Sequence, residues 1–225
     1  MNREPFALDE YYHIYNRGVD KRIVFNNDYD YERLKLLLYV ANSDKPIRPA
    51  QLMQDGKEFY DLWKTERGKQ LVSIGAWCLM PNHFHLLVRE ISQDGISKFM
   101  QKLGTAYTMF FNFTNKRTGA LFQGRYKSKH VTEDKYLRYL YSYIHMNPLK
   151  LKDSQWKERD MSKKLNEDLV MFLKDFSHSS FPDYLGSKRK EQIILSKDDF
   201  PGYFEKVSHV DDIKEWLSYN HNHTG

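Results

Sequence analysis

Two adjoining apolar segments constrain the fold of this chain most strongly. Residues 71–79 (LVSIGAWCL) and 83–89 (HFHLLVR) are rich in aliphatic, β-branched and aromatic side chains. Only Met80-Pro81-Asn82 separates them, and a proline interrupts the hydrogen-bond ladder of a strand. The pattern predicts two strands that pair as a hairpin.

Apolar residues at helical spacing predict three helices, over residues 29–40, 95–113 and 135–146. A β-rich segment at residues 11–15 predicts a first strand, and residues 121–122 predict a short last one. The third helix should stop at Asn147, because Pro148 disfavours helical geometry in the residue before it. The order β-α-β-β-α-β-α indicates the α+β class, with an antiparallel sheet and helices packed on one face.

The organisation along the chain suggests one main domain and an appendage. Residues 1–150 carry all the strong patterns and form the predicted domain, with a less regular insertion at residues 45–70. Beyond residue 150 the charge rises and the periodicity weakens. Residues 151–225 are therefore expected to form a C-terminal extension of short helices and irregular chain that packs on the core.

Composition excludes several functional classes. Cys78 is the one cysteine among 225 residues, so an intramolecular disulfide and a multi-cysteine metal site are excluded. No apolar stretch is long enough to span a bilayer, and the first residues lack the apolar block of a signal peptide. An intracellular, cytoplasmic location is expected. The 35 basic against 30 acidic residues permit a nucleic-acid partner without requiring one.

His83 and His85 are two residues apart in a predicted strand, so both imidazoles should point to the same side of the sheet. Two neighbouring neutral imidazoles are natural ligands for a divalent metal ion. The alternative is a pair of surface or core histidines that hold no metal. An H-x-H pair alone favours that alternative.

Tyr143 and Asn147 are four residues apart and share one face of the third helix. An amide oxygen can complete a metal site begun by two histidines, and it suits Mg²⁺ or Mn²⁺. In the alternative, Asn147 only ends the helix and Tyr143 is one of several core aromatics. The same helix also carries Tyr136, Tyr139 and Tyr141.

A basic segment with interleaved aromatics lies between the second and third helices. Cations for phosphates and aromatic rings for unstacked bases are what binding of single-stranded nucleic acid requires. Arg17, near the first turn, could add a phosphate contact. The alternative is a solvated hairpin loop. The candidate DNA-binding residues of the segment are Arg117, Phe122, Arg125, Tyr126, Lys127 and Lys129.

Three segments in order, LMPNHFHLLV, GALFQGRYKS and YLYSYIHMNP, closely resemble the REP-associated branch of the single-tyrosine HUH transposases. The acronym denotes two histidines around a hydrophobic residue, here His83-Phe84-His85. The outer segments YHIYNRG and DFSHSSFPDYLG are also similar to this family. The resemblance covers residues 11 to about 186, and the order and spacing of the segments make it strong.

The resemblance implies a ferredoxin-like or RRM-like catalytic core within residues 1–150. It implies that Tyr143 is a nucleophile that cleaves and rejoins single-stranded DNA, beside a hairpin, through a 5′-phosphotyrosine. His83, His85 and Asn147 would hold Mg²⁺ or Mn²⁺. The protein would associate with the nucleoid when bound to DNA, as a monomer or a homodimer. The short connection between residues 129 and 135 favours a helix that stays with its own sheet.

Two other functions stay open at this point. One is a catalytically silent protein that binds DNA hairpins, and the other is a metal-dependent nuclease that uses water and leaves Tyr143 structural. The chain also departs from the family in two places. The insertion at residues 45–70 is longer than expected, and no family motif follows Gly186.

Overall fold

The computed structural model describes residues 5–46, 59–153 and 167–202. A four-stranded antiparallel sheet lies at its centre, with the order β2-β3-β1-β4. The predicted hairpin is present as β2 and β3, joined through residues 81–82. The last strand begins after the predicted one, because Phe122 forms only a single bridge, to Gly18. The strands are β1 (Tyr11–Arg17), β2 (Val72–Met80), β3 (His83–Glu90) and β4 (Lys127–Val131).

The three predicted helices are all present, and the predicted α+β class is confirmed. Within the described ranges, no helix is both long enough and apolar enough to cross a bilayer. Short 3₁₀ turns lie at Val19–Lys21, Phe59–Lys64, Asn147–Leu151, Lys190–Ile194 and Lys197–Asp199. The helices are α1 (Asp28–Val40), α2 (Gly95–Thr114), α3 (Asp134–Met146), α4 (Glu167–Asp175) and α5 (Phe181–Tyr184).

Side chains next to the helices fix where α1 and α2 begin. The Asn27 side chain caps α1 by accepting a hydrogen bond of 3.1 Å from the backbone N–H of Asp30. Glu90, the last residue of β3, accepts bonds of 2.9 and 2.7 Å from the N–H groups of Gly95 and Ile96. A carboxylate at this end of α2 also meets the positive end of the helix dipole. The strand and the helix that follows it are thereby locked together.

The sheet separates two hydrophobic layers. Helices α1 and α2 cover one face, where Ile74, Leu86 and Val88 are buried. Helix α3 covers the opposite face, over Ala76 and Leu87. The expectation of helices on a single face therefore holds for α1 and α2 but not for α3. Alternation along β3 explains the difference, because its even-numbered side chains point to one layer and its odd-numbered side chains point to the other.

Part of the predicted insertion can be followed. Residues 47–58 lie outside the described residues, whereas a 3₁₀ turn forms at Phe59–Lys64. Leu62 is buried, and the Trp63 ring stacks on Tyr39 of α1 with 6.0 Å between centroids. This end of the insertion thus belongs to the layer formed by α1 and α2.

The chain beyond α4 pairs with the outer edge of β2. The backbone N–H of Leu79 donates to the carbonyl of His178 (2.8 Å), and that of Ser180 donates to the carbonyl of Trp77 (2.9 Å). Further on, the Tyr184 hydroxyl donates to the Gly75 carbonyl (2.6 Å). The edge that β2 would otherwise expose is covered. Residues 154–166 and 203–225, which also belong to the predicted extension, lie outside the described residues.

Arg189 holds this C-terminal segment together, and its loss should destabilise the fold. Its guanidinium contacts both carboxylate oxygens of Asp183 at 2.7 and 2.6 Å and also bonds to the Ser177 carbonyl. The Asp183 side chain is fully buried. Arg189→Met would leave that charge without a partner, so we expect a loss of about 3–5 kcal/mol in the free energy of unfolding, measured by urea titration.

The neighbouring Lys190 supplies the matched control. Its ammonium pairs with Glu32 at 2.7 Å, but the lysine side chain is 36% exposed. Lys190→Met should therefore cost no more than about 1 kcal/mol. Equal losses for the two variants would contradict the structural role of Arg189.

Candidate active site

The two histidines of the H-x-H motif and the helix tyrosine come together on the sheet face covered by α3. His83 and His85 both project from β3 to this face, with 5.1 Å between their ring centroids. The Tyr143 ring, from α3, lies edge-on to His85 at a centroid distance of 5.4 Å. His85 is buried, and His83 and Tyr143 are half-buried. Three of the four residues predicted to carry the chemistry thus form one cluster.

The hydrogen bonds of His83 define which of its nitrogens faces outward. Asn82 donates its side-chain N–H to the Lys21 carbonyl (3.0 Å), so its oxygen is directed at His83. That oxygen lies 2.6 Å from His83 Nδ1, which must therefore carry the proton and donate. In the neutral imidazole the lone pair is then on Nε2. This pattern is typical of metal-binding histidines, whose second nitrogen donates to an amide, carbonyl or carboxylate oxygen.

His13 of β1 is a member of the cluster that sequence reasoning missed. Its Nε2 lies 2.9 Å from Nδ1 of His85, and both side chains are buried. Its ring is also 5.9 Å, edge-on, from the ring of Tyr143. The segment YHIYNRG contributed to the family resemblance, but nothing in its spacing indicated a contact with a residue 72 positions away.

Asn147 lies directly after α3 and is fully buried. Its side-chain N–H donates to the Tyr143 carbonyl (3.1 Å), which ties it to the turn that carries the tyrosine. Its oxygen accepts a bond of 2.9 Å from Lys150, whose ammonium is also 5.8 Å from the centre of the Tyr143 ring. Lys150 is a second residue that sequence reasoning missed. In this arrangement the amide oxygen of Asn147 is engaged by a lysine.

The four tyrosines of α3 have distinct surroundings. Tyr141 is buried in the core, and burial raises the pKa of its hydroxyl. Tyr139 stacks on Tyr143 (5.9 Å), and burial followed by the neighbouring tyrosines raises its pKa to about 12. Tyr136 lies under the Lys129 ammonium, 4.1 Å from it. Tyr143 differs from these three in having its ring against His13 and His85.

His145 anchors the helix of Tyr143 to the sheet. Its Nε2 lies 2.7 Å from the hydroxyl oxygen of Ser180, which accepts a bond of 2.9 Å from the backbone N–H of Trp77 in β2. His145 and Ser180 are both buried. The chain that covers the edge of β2 therefore also holds α3 in place, two residues from Tyr143.

This anchor should make the fold sensitive to acid. Burial, and then the charges of Lys197 and Arg189, lower the pKa of His145 from 6.5 to about 3. Below pH 6.5 the unfolded state binds a proton that the folded state excludes, so stability falls as the pH falls toward 3. We expect His145 to account for about 3 kcal/mol of lost unfolding free energy between about pH 6.5 and pH 4.

Urea titrations at several pH values test this expectation. His145→Gln should show a shallower decline of stability over the same pH range than the wild type. His130→Gln, at an exposed histidine of β4, is the control and should follow the wild-type curve. Parallel curves for the wild type and His145→Gln would show that His145 is not the sensitive group.

Three of the predicted DNA-binding residues lie on the same face as the cluster. Residues paired directly across antiparallel strands point to the same side of a sheet. Arg17 is paired with His83, Lys129 with His13, and Lys127 with Tyr15. All three cationic side chains are exposed. The structure thus places a basic rim, which we define as Arg17, Lys127 and Lys129, beside the histidines and the tyrosine.

Phe122 and Arg117 are placed differently from expectation. Phe122 is buried in the layer formed by α1 and α2, edge-on to Phe84, so its ring is not on the surface as base stacking would require. Arg117 bonds to the Asn112 side chain and to the Ala120 carbonyl (2.9 Å), which closes the turn after α2. The physical reason in both cases is local packing, which the pattern of charges and aromatics does not reveal.

Arg125 and Tyr126 line a cleft of about 980 Å³ beside α2. Gln101, Thr105 and Thr108 of the helix give its wall a polar stripe. Gly104 lies within that stripe, and an added Cβ there would meet nothing within 4 Å. The cleft lies on the sheet face opposite the histidine cluster, since its lining includes Phe84 and Leu34 of the other layer.

The donor set of the cluster fits a divalent metal in part. Among the residues that the structure describes, no group of three or more histidine, cysteine or acidic side chains could hold a metal ion. His83 and His85 offer two imidazoles on one face, and each uses Nδ1 in another hydrogen bond. Asn147 would add an amide oxygen, once its bond from Lys150 is given up.

Paired histidines on an antiparallel sheet, facing a tyrosine on a covering helix, are the arrangement that the resemblance to tyrosine transposases implies. The family model "Transposase IS200 like" matches residues 8–147, and the chain belongs to this family. Its general class of activity is accordingly that of a DNA transposase or endonuclease. No curated protein matches the chain.

The chain is also similar to a solved structure of a REP-associated tyrosine transposase bound to a REP hairpin. The two share 14% sequence identity, over 85% of this chain and 89% of the other, with a TM-score of 0.48.

Proposed function

We propose that the protein cleaves and rejoins single-stranded DNA through a covalent 5′-phosphotyrosine on Tyr143, aided by Mg²⁺ or Mn²⁺ at His83, His85 and Asn147. The observation that carries this proposal is the position of the Tyr143 ring, 5.4 Å from the ring of His85. A nucleophile next to two metal-type ligands is what phosphoryl transfer needs. Family membership supports the same chemistry.

The metal ion, when bound, would act as a Lewis acid that offsets charge on the scissile phosphate. The two imidazoles would present Nε2 to it, since Nδ1 of each is used elsewhere. Asn147 would complete the set with its oxygen. Lys150 would then exchange its bond to Asn147 for a phosphate oxygen or the phenol, because it already lies beside both Asn147 and Tyr143.

The covalent step keeps a phosphodiester linkage, because a bond from the Tyr143 oxygen to phosphorus replaces the bond from the 3′ oxygen. The phenol of Tyr143 gives up its proton, and its oxygen forms a bond to phosphorus as the bond to the 3′ oxygen breaks. That oxygen takes a proton and leaves as a 3′-OH, and the 5′ side remains on the tyrosine. A 3′-OH of the same or another strand reverses the step and releases Tyr143. The Lys150 ammonium lies 5.8 Å from the centre of the Tyr143 ring and would offset the negative charge that develops on the attacking oxygen.

The DNA would follow the basic rim past the cluster. Arg17, Lys127 and Lys129 lie on the correct face for contacts with phosphates that flank the scissile one. On the opposite face of the sheet, the cleft at Arg125 and Tyr126 offers a cation and an aromatic ring for an unpaired base beyond the rim. A hairpin next to the cleaved strand is the partner we favour, since the REP-associated transposase named above is bound to one.

The rim makes a quantitative prediction about DNA binding. Replacing Arg17, Lys127 and Lys129 together by alanine should weaken binding of a single strand and flatten its salt dependence. The slope of log K against log salt should fall by about 0.7 for each lost phosphate contact, or about 2 in all. Lys98→Ala, at an exposed lysine of α2 on the opposite side of the sheet, is the control. An unchanged slope in the rim variant would indicate that the DNA binds to another surface of the protein.

We also propose that one chain completes its own site. Helix α3 contacts β2 and β3 of the same chain, and His145 is tied to Ser180 within that chain. Residues 1–150 would form the catalytic domain. The segment after residue 150 would serve to hold α3 against the sheet.

A covalent adduct is the decisive observation. The protein is incubated with Mn²⁺ and a pool of single strands that carry hairpins, and denaturing gels report any DNA that stays attached. An adduct that maps to Tyr143 supports the proposal. Binding without an adduct would indicate a silent hairpin-binding protein. Cleavage that leaves no adduct and survives Tyr143→Phe would indicate a nuclease that uses water.

A further inference from the structure

His13 and His85 form a hydrogen-bonded pair between neighbouring strands. Their nitrogens are 2.9 Å apart, and their rings are nearly parallel, with an interplanar angle of 27° and 5.1 Å between centroids. His13 is 7% exposed and His85 is 6% exposed, so water has little access to this bond. A buried pair of this kind must have one donor and one acceptor.

The metal-binding proposal fixes the direction of this bond. An imidazole binds a metal through a nitrogen lone pair, and the nitrogen of His85 bonded to His13 is Nδ1. If Nε2 of His85 is to offer its lone pair, the proton of the neutral ring must be on Nδ1. His85 then donates to Nε2 of His13, which accepts. The hydrogen bond of His83 has the same direction, because its Nδ1 donates to the side-chain oxygen of Asn82.

We propose that His13 is a positioning residue that holds His85 in the tautomer and ring orientation needed for metal binding. This inference rests on the proposed function, in which His85 is a metal ligand. His13 acts through its Nε2 lone pair, which serves for His85 as the Asn82 oxygen serves for His83. Partners of this kind typically change metal affinity by about 10- to 100-fold when they are lost.

The place of His13 in the sheet explains why it can hold its partner firmly. It is paired with Leu87 of β3 and with Lys129 of β4, so its backbone is fixed on both sides. Its ring lies 4.8 Å from the ring of Tyr15 and edge-on to Tyr143. A side chain so enclosed has few other rotamers, and the acceptor nitrogen stays directed at His85.

The first test needs no variant. Nitrogen NMR of the metal-free wild type at about pH 8, where an ordinary histidine is neutral, reports which nitrogen of His85 carries the proton. We expect Nδ1–H on His85. A proton on Nε2 would overturn the inference, whatever the activity of the protein.

The second test measures Mn²⁺ affinity by calorimetry in two variants of similar size. His13→Leu removes the acceptor and should weaken Mn²⁺ binding by about 10- to 100-fold. His13→Gln keeps an acceptor near the position of Nε2 and should stay within about threefold of the wild type. Tyr15→Phe, at the neighbouring ring, should bind as the wild type does.

The outcomes distinguish a failure of this inference from a failure of the proposed metal site on which it rests. If the wild type binds Mn²⁺, His83→Ala abolishes binding and His13→Leu matches the wild type, the positioning role is refuted and the metal site stands. If the wild type binds no Mn²⁺, or His83→Ala binds normally, the metal site itself is refuted. If His13→Leu fails to fold, two other results would still overturn the inference. One is a proton on Nε2 of His85 in the NMR experiment, and the other is a tenfold or larger loss of Mn²⁺ affinity in His13→Gln.

Discussion

Tyr143→Phe should abolish the covalent DNA adduct and reduce strand cleavage by about 10⁴-fold or more, since removing a nucleophile typically costs this much. The change removes one oxygen atom and keeps the ring, whose edge-on contacts with His13 and His85 should persist. Cleavage is measured on an end-labelled single strand under single-turnover conditions. Affinity for the same strand should change little, because we propose that the basic rim supplies most of it.

Tyr139→Phe and Tyr141→Phe are the matched controls on the same helix. Tyr139 stacks on Tyr143 without lying against the histidines, and Tyr141 is buried in the core. Tyr139→Phe should keep its cleavage, whereas Tyr141→Phe should affect stability more than activity. Loss of the adduct in Tyr139→Phe, with Tyr143→Phe still active, would assign the nucleophile to Tyr139.

Local periodicity accounts for what could be predicted about the fold. The alternation of side chains along β3 already placed His83 and His85 on one side, and helical spacing already placed Tyr143 near Asn147. Both patterns depend on the geometry of a single element. They need no knowledge of how elements pack, so the sequence alone was sufficient.

The remaining features depend on contacts between distant parts of the chain. His13 reaches His85 because β1 pairs with β3, and no spacing rule encodes that register. Helix α3 takes the face opposite α1 and α2 because the odd-numbered residues of β3 leave a second apolar surface to be covered. Ser180 meets His145 because residues 178–180 pair with β2, a contact that spans about a hundred residues between Trp77 and Ser180.

The surface proposed to bind DNA shows the same difference between what local patterns reveal and what depends on distant contacts. The sequence correctly indicated a basic, aromatic segment, but it did not distinguish its exposed members from its buried ones. Phe122 is in the core, whereas Lys127 and Lys129 project beside the cluster because they pair with Tyr15 and His13. Asn147 is the clearest case for the site itself. Its spacing to Tyr143 was evident, but its bond to Lys150 depends on the 3₁₀ turn that follows α3.

The second large effect is expected for His83→Ala. Loss of this imidazole should reduce strand cleavage by about 10³-fold or more, because a metal that offsets phosphate charge is worth several kcal/mol in the transition state. Affinity for the DNA hairpin should stay within about twofold, since we propose that binding depends on the cationic side chains of the basic rim. His83 is only half-buried, so the fold should tolerate the change.

His130→Ala provides the matched control, because this histidine is on β4 and its ring stacks on Tyr12. Its neighbour Lys129 points to the cluster, so alternation along the strand directs His130 to the opposite side. The variant should cleave DNA at the wild-type rate. If His83→Ala loses hairpin binding as fully as cleavage, His83 has a structural role. If it loses neither, the two imidazoles do not hold the metal, and Tyr143 must rely on Lys150 and the basic rim for charge neutralisation.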